Sequence, residues 1–299
     1  MQRIKSFLLL LMTAMIWGFA FVAQRVGADY VGAFTFNGIR FVLGAISLIP
    51  VIFIFEKAEK DSQIHTQKMS TTFKTGVVAG IILFTASSLQ QVGIEITGSA
   101  GKASFLTGLY TVLVPIFGIA LGKKTTANVW LGAVLAVVGM FFICVNEKWQ
   151  ISIGDIVLII GAIFWAFHIL VIDRFVNKMY AIRFASTQFA VCGILGICCA
   201  LIFEKITLDA ILNALIPILY GGVLSAGVAY TCQIIGQKKA DPTYASIILS
   251  TESMFGAIGG ALILHEVMTI RGYFGCALIF TGVIISQLVF KKKFKKIAV

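Results

Sequence analysis

The sequence predicts an all-α integral membrane protein of ten transmembrane helices, built as two inverted five-helix repeats with both termini in the cytoplasm. Three observations lead to this fold class: few charges, apolar stretches long enough to cross a bilayer, and a sequence that resembles itself. Of 299 residues, 59% are hydrophobic and 12% are charged, whereas soluble chains carry about 25% charged residues. Such a chain cannot cover a water-facing surface with charges, so we expect lipid around most of it.

The length and continuity of the apolar stretches predict helices. A lipid-embedded backbone must satisfy its hydrogen bonds internally, in helices or in a closed barrel. Continuous stretches of about 20 residues fit helices, whereas barrel strands would alternate over about ten residues. The predicted spans end at charges or turn residues and are 5–24, 34–55, 75–94, 103–122, 126–145, 154–172, 184–203, 211–236, 243–264 and 269–290.

The distribution of positive charge predicts the orientation of the spans. Most of the 24 Lys and Arg residues fall in alternate connections and in the C-terminal tail, on one side of the predicted bundle. Cytoplasmic loops carry such an excess, so we expect both termini inside the cell. The formal charge of +11 is thus explained by the membrane, and no separate basic domain indicates a nucleic-acid partner. The cysteines lack metal-ligand spacing, so we expect neither a metal nor a cofactor.

The two halves of the chain share residues at ordered offsets. Because each half has an odd number of spans, the second half begins on the opposite side of the membrane, and a pseudo-two-fold axis in the membrane plane relates the two. We predict a first repeat at 1–147, a second at 148–290 and a basic cytoplasmic tail at 291–299. Shifts of 143 or 148 residues align Gln90 with Gln233, Gly132 with Gly275, Gly139 with Gly282, and Trp17 with Trp165.

Several short motifs occur in order along nearly the whole chain. They are the Trp-Gly pair at 17–18, Thr97-Gly98-Ser99-Ala100 with 105–110 and Val114-Pro115, and Thr251-Glu252-Ser253 with His265-Glu266 and Gly275…Gly282. Together they resemble the motifs of the EamA family of the drug/metabolite transporter superfamily. Two positions depart from the family pattern: Lys123 stands where a Glu usually ends the fourth span, and Ser253 stands where a Pro usually follows the ninth-span Glu.

The resemblance implies a secondary transporter that works by alternating access in the bacterial cytoplasmic (inner) membrane. Family members move amino acids, nucleobases, sugars, vitamins and drugs, and we expect this chain, as a monomer or homodimer, to export an amino acid, a nucleobase or a related amphipathic compound. The alternative is a membrane channel or a membrane scaffold without transport, which the inverted repeat disfavours. We do not expect an enzyme, because the sequence has neither an HExxH metal motif nor a Walker motif.

Polar side chains inside the spans predict a substrate site, because such groups usually face a water-filled cavity or another helix. Glu252, near the middle of the ninth span, is expected to carry a coupling proton, to bind a cationic group or to pair with Arg40. Arg40 is expected to bind a cargo carboxylate or to pair with Glu95. The predicted lining of the central cavity is Trp17, Asn37, Arg40, Gln90, Tyr110, Trp165, His168, Tyr230, Gln233 and Glu252.

Five uncharged members of this set have two interpretations. Trp17 and Trp165 lie too deep for the interfacial belt, and they either stack on a ring-shaped cargo or pack helices together. The amides of Gln90 and Gln233 bind either the cargo or a neighbouring helix. His168 is either a proton relay or a hydrogen-bonded core residue.

Overall fold

The computed structural model describes residues 2–53, 69–123, 125–144, 151–264 and 269–287. Regular structure in these ranges is entirely helical, and we number the helices by predicted span. They are α1 (Gln2–Gly27), α2 (Ala33–Ser47), α3 (Met69–Thr97), α4 (Ala100–Gly108 and Tyr110–Ala120), α5 (Ala127–Cys144), α6 (Ile153–Phe175), α7 (Ala181–Phe203), α8 (Leu215–Leu219, the π-helix Tyr220–Tyr230 and Thr231–Gln237), α9 (Pro242–Leu249 and Glu252–Ile263) and α10 (Ile270–Gln287); the short helix Leu208–Asn213 precedes α8.

A helix lies at each predicted position, and eight of these helices are long and apolar enough to cross a membrane. The apolar parts of the other two, α5 and α10, are shorter. A helical multi-pass membrane protein is thus confirmed, whereas the count of ten crossings and the cytoplasmic position of the termini stay predictions. The predicted tail at 291–299 lies outside the described residues.

Polar residues between the apolar runs mark where several helices begin. The Ser99 side chain accepts a hydrogen bond from the Lys102 backbone at the start of α4. Ser152 and Asp155 form a capping box at the start of α6. Asp241 caps α9 and is followed by Pro242. Proline has no backbone N–H, and it costs nothing here because the N–H groups of a first helical turn have no partner within the helix.

α9 is broken at Ser250 and Thr251, although Ser253 stands where the motif that the sequence resembles usually has Pro. The hydroxyls of Ser250 and Thr251 donate to the carbonyls of Ile247 and Ile248, three residues earlier. Such bonds compete with the helical ladder and bend helices. The break is thus formed without a proline and carries these two bonds.

α4 is broken at the equivalent depth, at Leu109. Pro115 lies in its second half and cannot donate a backbone bond to the Thr111 carbonyl. Tyr110 begins the second half of α4, and Glu252 begins the second half of α9. The two broken helices thus place one polar side chain each at their breaks.

α8 contains an eleven-residue π-helix, Tyr220–Tyr230, a rare conformation that is common at functional sites. Side chains of α1 bond to its carbonyls: Thr13 Oγ1 donates to Ala229 O over 3.0 Å, and Trp17 Nε1 donates to Ser225 O over 3.3 Å. α1 and the π-helix are therefore joined by hydrogen bonds as well as by apolar packing.

The predicted repeat-related glycines meet where α5 crosses α10. A Cβ added to Gly139 would lie 2.5 Å from the Gly275 carbonyl oxygen, and a Cβ on Gly275 would lie 2.5 Å from the Gly139 oxygen. Gly132 and Gly282 face each other in the same reciprocal way at 2.6 Å. No side chain fits between these backbones, so glycine is required for the crossing.

Two ion pairs join α4 to α6. Lys102 Nζ lies 2.8 Å from Asp155 Oδ2 near the start of both helices. Near their opposite ends, Lys123 pairs with Asp173. The lysine that departs from the family pattern therefore has an acidic partner on the neighbouring helix.

Candidate functional site

A cavity lies where α1, α2, α3, α4, α6, α8 and α9 meet. The space between its walls is about 350 Å³. Only about 30 Å³ of this space is wide enough to hold the centre of a water-sized sphere. That is room for one or two waters, so a metabolite would have to widen the cavity. The walls are formed by Trp17, Ala20, Phe21, Gln24, Arg40, Gln90, Thr107, Tyr110, Trp165, Ser225, Tyr230 and Glu252.

Three aromatic side chains, Trp17, Trp165 and Tyr230, form one wall, which we call the aromatic cluster. The Trp17 and Tyr230 ring centroids lie 4.6 Å apart, and Trp165 lies 6.2 Å from each of them. The cluster presents flat apolar surface together with polar ring atoms. Trp165 Nε1 is buried and has no hydrogen-bond partner among the described residues.

Glu252 is the one acidic residue in the walls of this cavity. It is 3% exposed, and the Tyr110 hydroxyl donates a 3.0 Å hydrogen bond to its Oε1. The nearby Ser253 hydroxyl bonds instead to Ser104 at 2.8 Å. Glu252 therefore has a fixed donor on α4, and its predicted pairing with Arg40 is not observed.

Arg40 is the one basic residue in the same walls and is also 3% exposed. Its guanidinium carbon lies 4.7 Å from the Phe41 ring centroid and 5.4 Å from that of Phe36. Within the described residues, its Nε has no hydrogen-bond partner and no acid lies within ion-pair distance of it. The predicted pair with Glu95 does not form, and the side chains that the structure places against the guanidinium are aromatic rings.

Three of the predicted lining residues lie outside these walls. Asn37 donates to the Ser87 carbonyl over 2.9 Å, which holds α2 against α3. His168 bonds Gln188 over 2.9 Å and borders the aromatic cluster, with its ring centroid 6.0 Å from that of Tyr230. Gln233 is buried, and neither end of its amide has a hydrogen-bond partner in the part of the chain that the structure describes.

The remaining seven predicted residues do line the cavity, namely Trp17, Arg40, Gln90, Tyr110, Trp165, Tyr230 and Glu252. Among them, Gln90 Nε2 donates to Thr107 Oγ1 over 3.3 Å. That these side chains bind a cargo stays a prediction.

The predicted lining omitted five residues of the walls, namely Ala20, Phe21, Gln24, Thr107 and Ser225. Phe21 lies one helical turn after Trp17, so the helical spacing of α1 could have indicated it. Ser225 precedes Tyr230 by five residues, a spacing that separates side chains on an α-helix but aligns them on a π-helix, where bonds join i and i+5. Only the structure reveals that register.

A second cavity of about 430 Å³ lies between α1, α4, α5 and α9, towards the end where α4 begins. Its walls include Phe21, which also lines the central cavity, and the hydrogen-bonded pair Ser104 and Ser253. Phe21 therefore separates the two cavities.

Comparisons with known proteins agree with this fold. The EamA-like transporter family model matches residues 4–145 and again 152–288. An uncharacterized transporter of Archaeoglobus fulgidus is 27% identical, over 96% of this chain and 87% of its own. The uncharacterized transporter YoaV of Bacillus subtilis is 22% identical, over 97% and 99% respectively. A solved crystal structure superposes with a TM-score of 0.75 at 15% identity, over 94% of this chain and 96% of that one, which shows a shared fold. The chain belongs to the EamA-like transporter family.

Proposed function

We propose that this protein is a secondary transporter that exports a small amphipathic metabolite by alternating access. The observation that carries the proposal is the central cavity, whose walls hold one base, one acid and the aromatic cluster inside a bundle of apolar helices. Buried polar groups of this kind mark substrate and ion pathways in membrane proteins. The proposed setting is the cytoplasmic membrane, with both termini inside the cell.

The packing of helices supports the pseudo-two-fold relation that alternating access needs. Gly132 of α5 contacts Gly282 of α10, which is the repeat equivalent of Gly139. Gly139 in turn contacts Gly275, which is the repeat equivalent of Gly132. A two-fold axis between α5 and α10 produces this reciprocal pattern. Trp17 and its repeat equivalent Trp165 likewise meet each other at the central cavity.

The two cavities support a route for the cargo. The central cavity is too narrow for a metabolite, and the second cavity extends from Phe21 towards one end of the bundle. In the proposed cycle, movement of Phe21 and separation of Ser104 from Ser253 join the two spaces. The ion pairs between α4 and α6 would keep those helices together during this movement.

The first test is counterflow in proteoliposomes. Vesicles containing the purified protein are loaded with an unlabelled mixture of amino acids, nucleobases and aromatic acids, and uptake of each labelled compound is measured. We expect saturable exchange of at least one compound. Flux that rises linearly with concentration would indicate a channel, and the absence of flux for every compound would indicate a scaffold.

We also propose that Glu252 carries a coupling proton, because it is buried, lines the cavity and has a single donor in Tyr110. We expect an imposed pH gradient to drive cargo flux in the wild type and to lose its effect in Glu252→Gln. Counterflow, which needs no net driving force, should persist in that variant. Unchanged pH dependence in Glu252→Gln would exclude the coupling role.

A further inference from the structure

The two charged groups of the cavity differ in their partners, and the difference bears on the cargo. Glu252 receives a hydrogen bond from Tyr110. Arg40 has an Nε without a partner, although only 3% of the residue is exposed. A buried guanidinium is stabilised chiefly by charge-assisted bonds to an anion, and the described residues supply no acceptor for Arg40 Nε.

The position of Arg40 relates this missing acceptor to the aromatic cluster. Its guanidinium lies 4.7 Å from the Phe41 ring centroid, and that ring lies 6.1 Å from Tyr230. Tyr230 in turn is 4.6 Å from Trp17. Phe41 therefore lies next to both the cation and the aromatic cluster.

A second group without a hydrogen-bond partner belongs to a side chain that lines the same cavity. Trp17 donates its indole N–H to Ser225 O, a carbonyl of the π-helix. The repeat-equivalent Trp165 also lines the cavity, but its indole N–H has no such bond within the described residues. Trp165 Nε1 is thus a donor without an acceptor beside the aromatic cluster.

We propose, on the basis of the transport function above, that the cargo is an aromatic carboxylate whose carboxylate binds Arg40 and whose ring lies against Trp17, Trp165 and Tyr230. Arg40 and the three rings line one cavity, so a single small acid can reach both. The carboxylate supplies the charge and the acceptor that Arg40 lacks. Arg40 then selects the charge of the cargo.

The test compares three compounds of matched shape: phenylacetate, its neutral amide phenylacetamide, and the amine phenethylamine. Each competes with radiolabelled phenylacetate for the full-length protein in detergent. We expect phenylacetate to bind at least tenfold more tightly than the amide, in line with the strength of hydrogen bonds to charged groups. The amine is expected to compete more weakly than the amide.

Variants of Arg40 assign the selectivity to this side chain. Arg40→Gln should bring phenylacetate and phenylacetamide to within about threefold of each other, and Arg40→Lys should retain part of the preference. Arg174→Gln removes an exposed arginine outside the cavity and should leave the preference unchanged. Thermal unfolding and gel filtration of each variant show whether it is folded, and any Arg40 variant that is not folded is replaced by Arg40→Met.

The outcomes separate this proposal from the transport function. Equal binding of acid and amide, or tightest binding of the amine, overturns the Arg40 assignment. If phenylacetate does not bind while counterflow shows exchange of other compounds, the cargo class is wrong and transport stands. If counterflow shows no exchange of any compound, the transport function itself fails.

Discussion

At the residue scale, the Tyr110–Glu252 hydrogen bond joins the breaks of α4 and α9. Each residue begins the second half of its helix, and each is at most 3% exposed. Non-helical backbone at membrane depth is tolerated where it is buried in protein or lines a cavity. This bond therefore joins the broken points of α4 and α9.

Replacing Tyr110 with Phe tests the strength of that bond. The substitution removes the donor and leaves a buried carboxyl oxygen without a partner, so we expect a loss of about 1–3 kcal/mol in the free energy of unfolding. The measurement is reversible unfolding in detergent or bicelles. Tyr273→Phe, on an exposed side chain, is the control. Equal stability of the two variants would contradict a structural role for the bond.

Residue types and depth were enough to predict most of the lining, including Arg40 and Glu252, because charges inside spans are rare and seldom face lipid. They could not show which way a polar residue points around its helix. Asn37 and Gln233 both lie inside predicted spans. Asn37 nevertheless bonds the α3 backbone, and Gln233 is enclosed by neighbouring helices. The sequence alone left both orientations open.

At the element scale, helix positions were predictable because the apolar runs and their polar caps are local features. The breaks within α4 and α9 could not be predicted in this way. Ser253 stands where the family usually has Pro, and yet α9 is broken at Ser250 and Thr251, whose hydroxyls bond to the backbone three residues earlier. The π-helix in α8 was not predictable either, because its carbonyls accept hydrogen bonds from Thr13 and Trp17, which lie on a helix distant in sequence.

The α5–α10 crossing gives a prediction for this scale. Gly139→Ala and Gly275→Ala each place a Cβ 2.5 Å from the opposite backbone, so each should destabilise the protein by about 1–3 kcal/mol. The double variant should lose less than the sum, because the first methyl already separates the helices. Thermal unfolding of the four proteins measures this coupling.

Gly118→Ala is the matched control for that cycle. An added Cβ there meets only Lys123, at 3.9 Å, and alanine has the higher helix propensity, so stability should be unchanged or rise by up to about 1 kcal/mol. Full additivity of Gly139→Ala and Gly275→Ala would argue against direct contact of the two backbones.

The ion pairs between α4 and α6 should differ in their contribution to stability. The Asp155 side chain is 2% exposed, whereas Asp173 is 15% exposed and its partner Lys123 is 34% exposed. Lys102→Met leaves a buried carboxylate without its lysine and should cost about 3–5 kcal/mol. Lys123→Met should cost about 1 kcal/mol or less.

The double variant Lys102→Met/Asp155→Asn distinguishes a lost charge pair from lost packing. It should recover part of the stability that Lys102→Met loses, because the buried charge is removed with its partner. Denaturant titration of the three proteins provides the comparison. No recovery in the double variant would assign the loss to packing of the lysine stem.

At the scale of the whole molecule, the predicted repeat suggests how the two halves exchange conformations. In inverted repeats, each half adopts in one state the arrangement that the other half has in the opposite state. The chain offers a repeat-related pair on which to test this. Gln90 bonds Thr107 over 3.3 Å, and a shift of 143 residues takes this pair to Gln233 and Ser250.

In the present state that second pair is not formed. The Gln233 amide has no partner, and the Ser250 hydroxyl donates to Ile247 O instead. If the halves exchange conformations, Gln233 bonds Ser250 in the opposite-facing state while Gln90 releases Thr107. The two glutamines would then stabilise opposite states of one equilibrium.

Substitution by leucine should therefore shift that equilibrium in opposite directions. Gln233→Leu removes an unsatisfied buried amide from the present state, so this state should gain about 1–3 kcal/mol of stability relative to the opposite one. Gln90→Leu removes a bond that the present state makes and should favour the opposite state by about 1 kcal/mol. Both changes should slow transport, because a cycle needs both states to be populated.

Thiol labelling separates this mechanism from a general loss of stability. A cysteine at Ser104, beside the second cavity, is labelled with an impermeant maleimide added from either side of the membrane, in a background where the native cysteines are serine. The leucine variants should change the labelling rate in opposite directions relative to the parent. A change in the same direction for both would mean that the amides act on packing alone, and the proposed exchange between the halves would have to be abandoned.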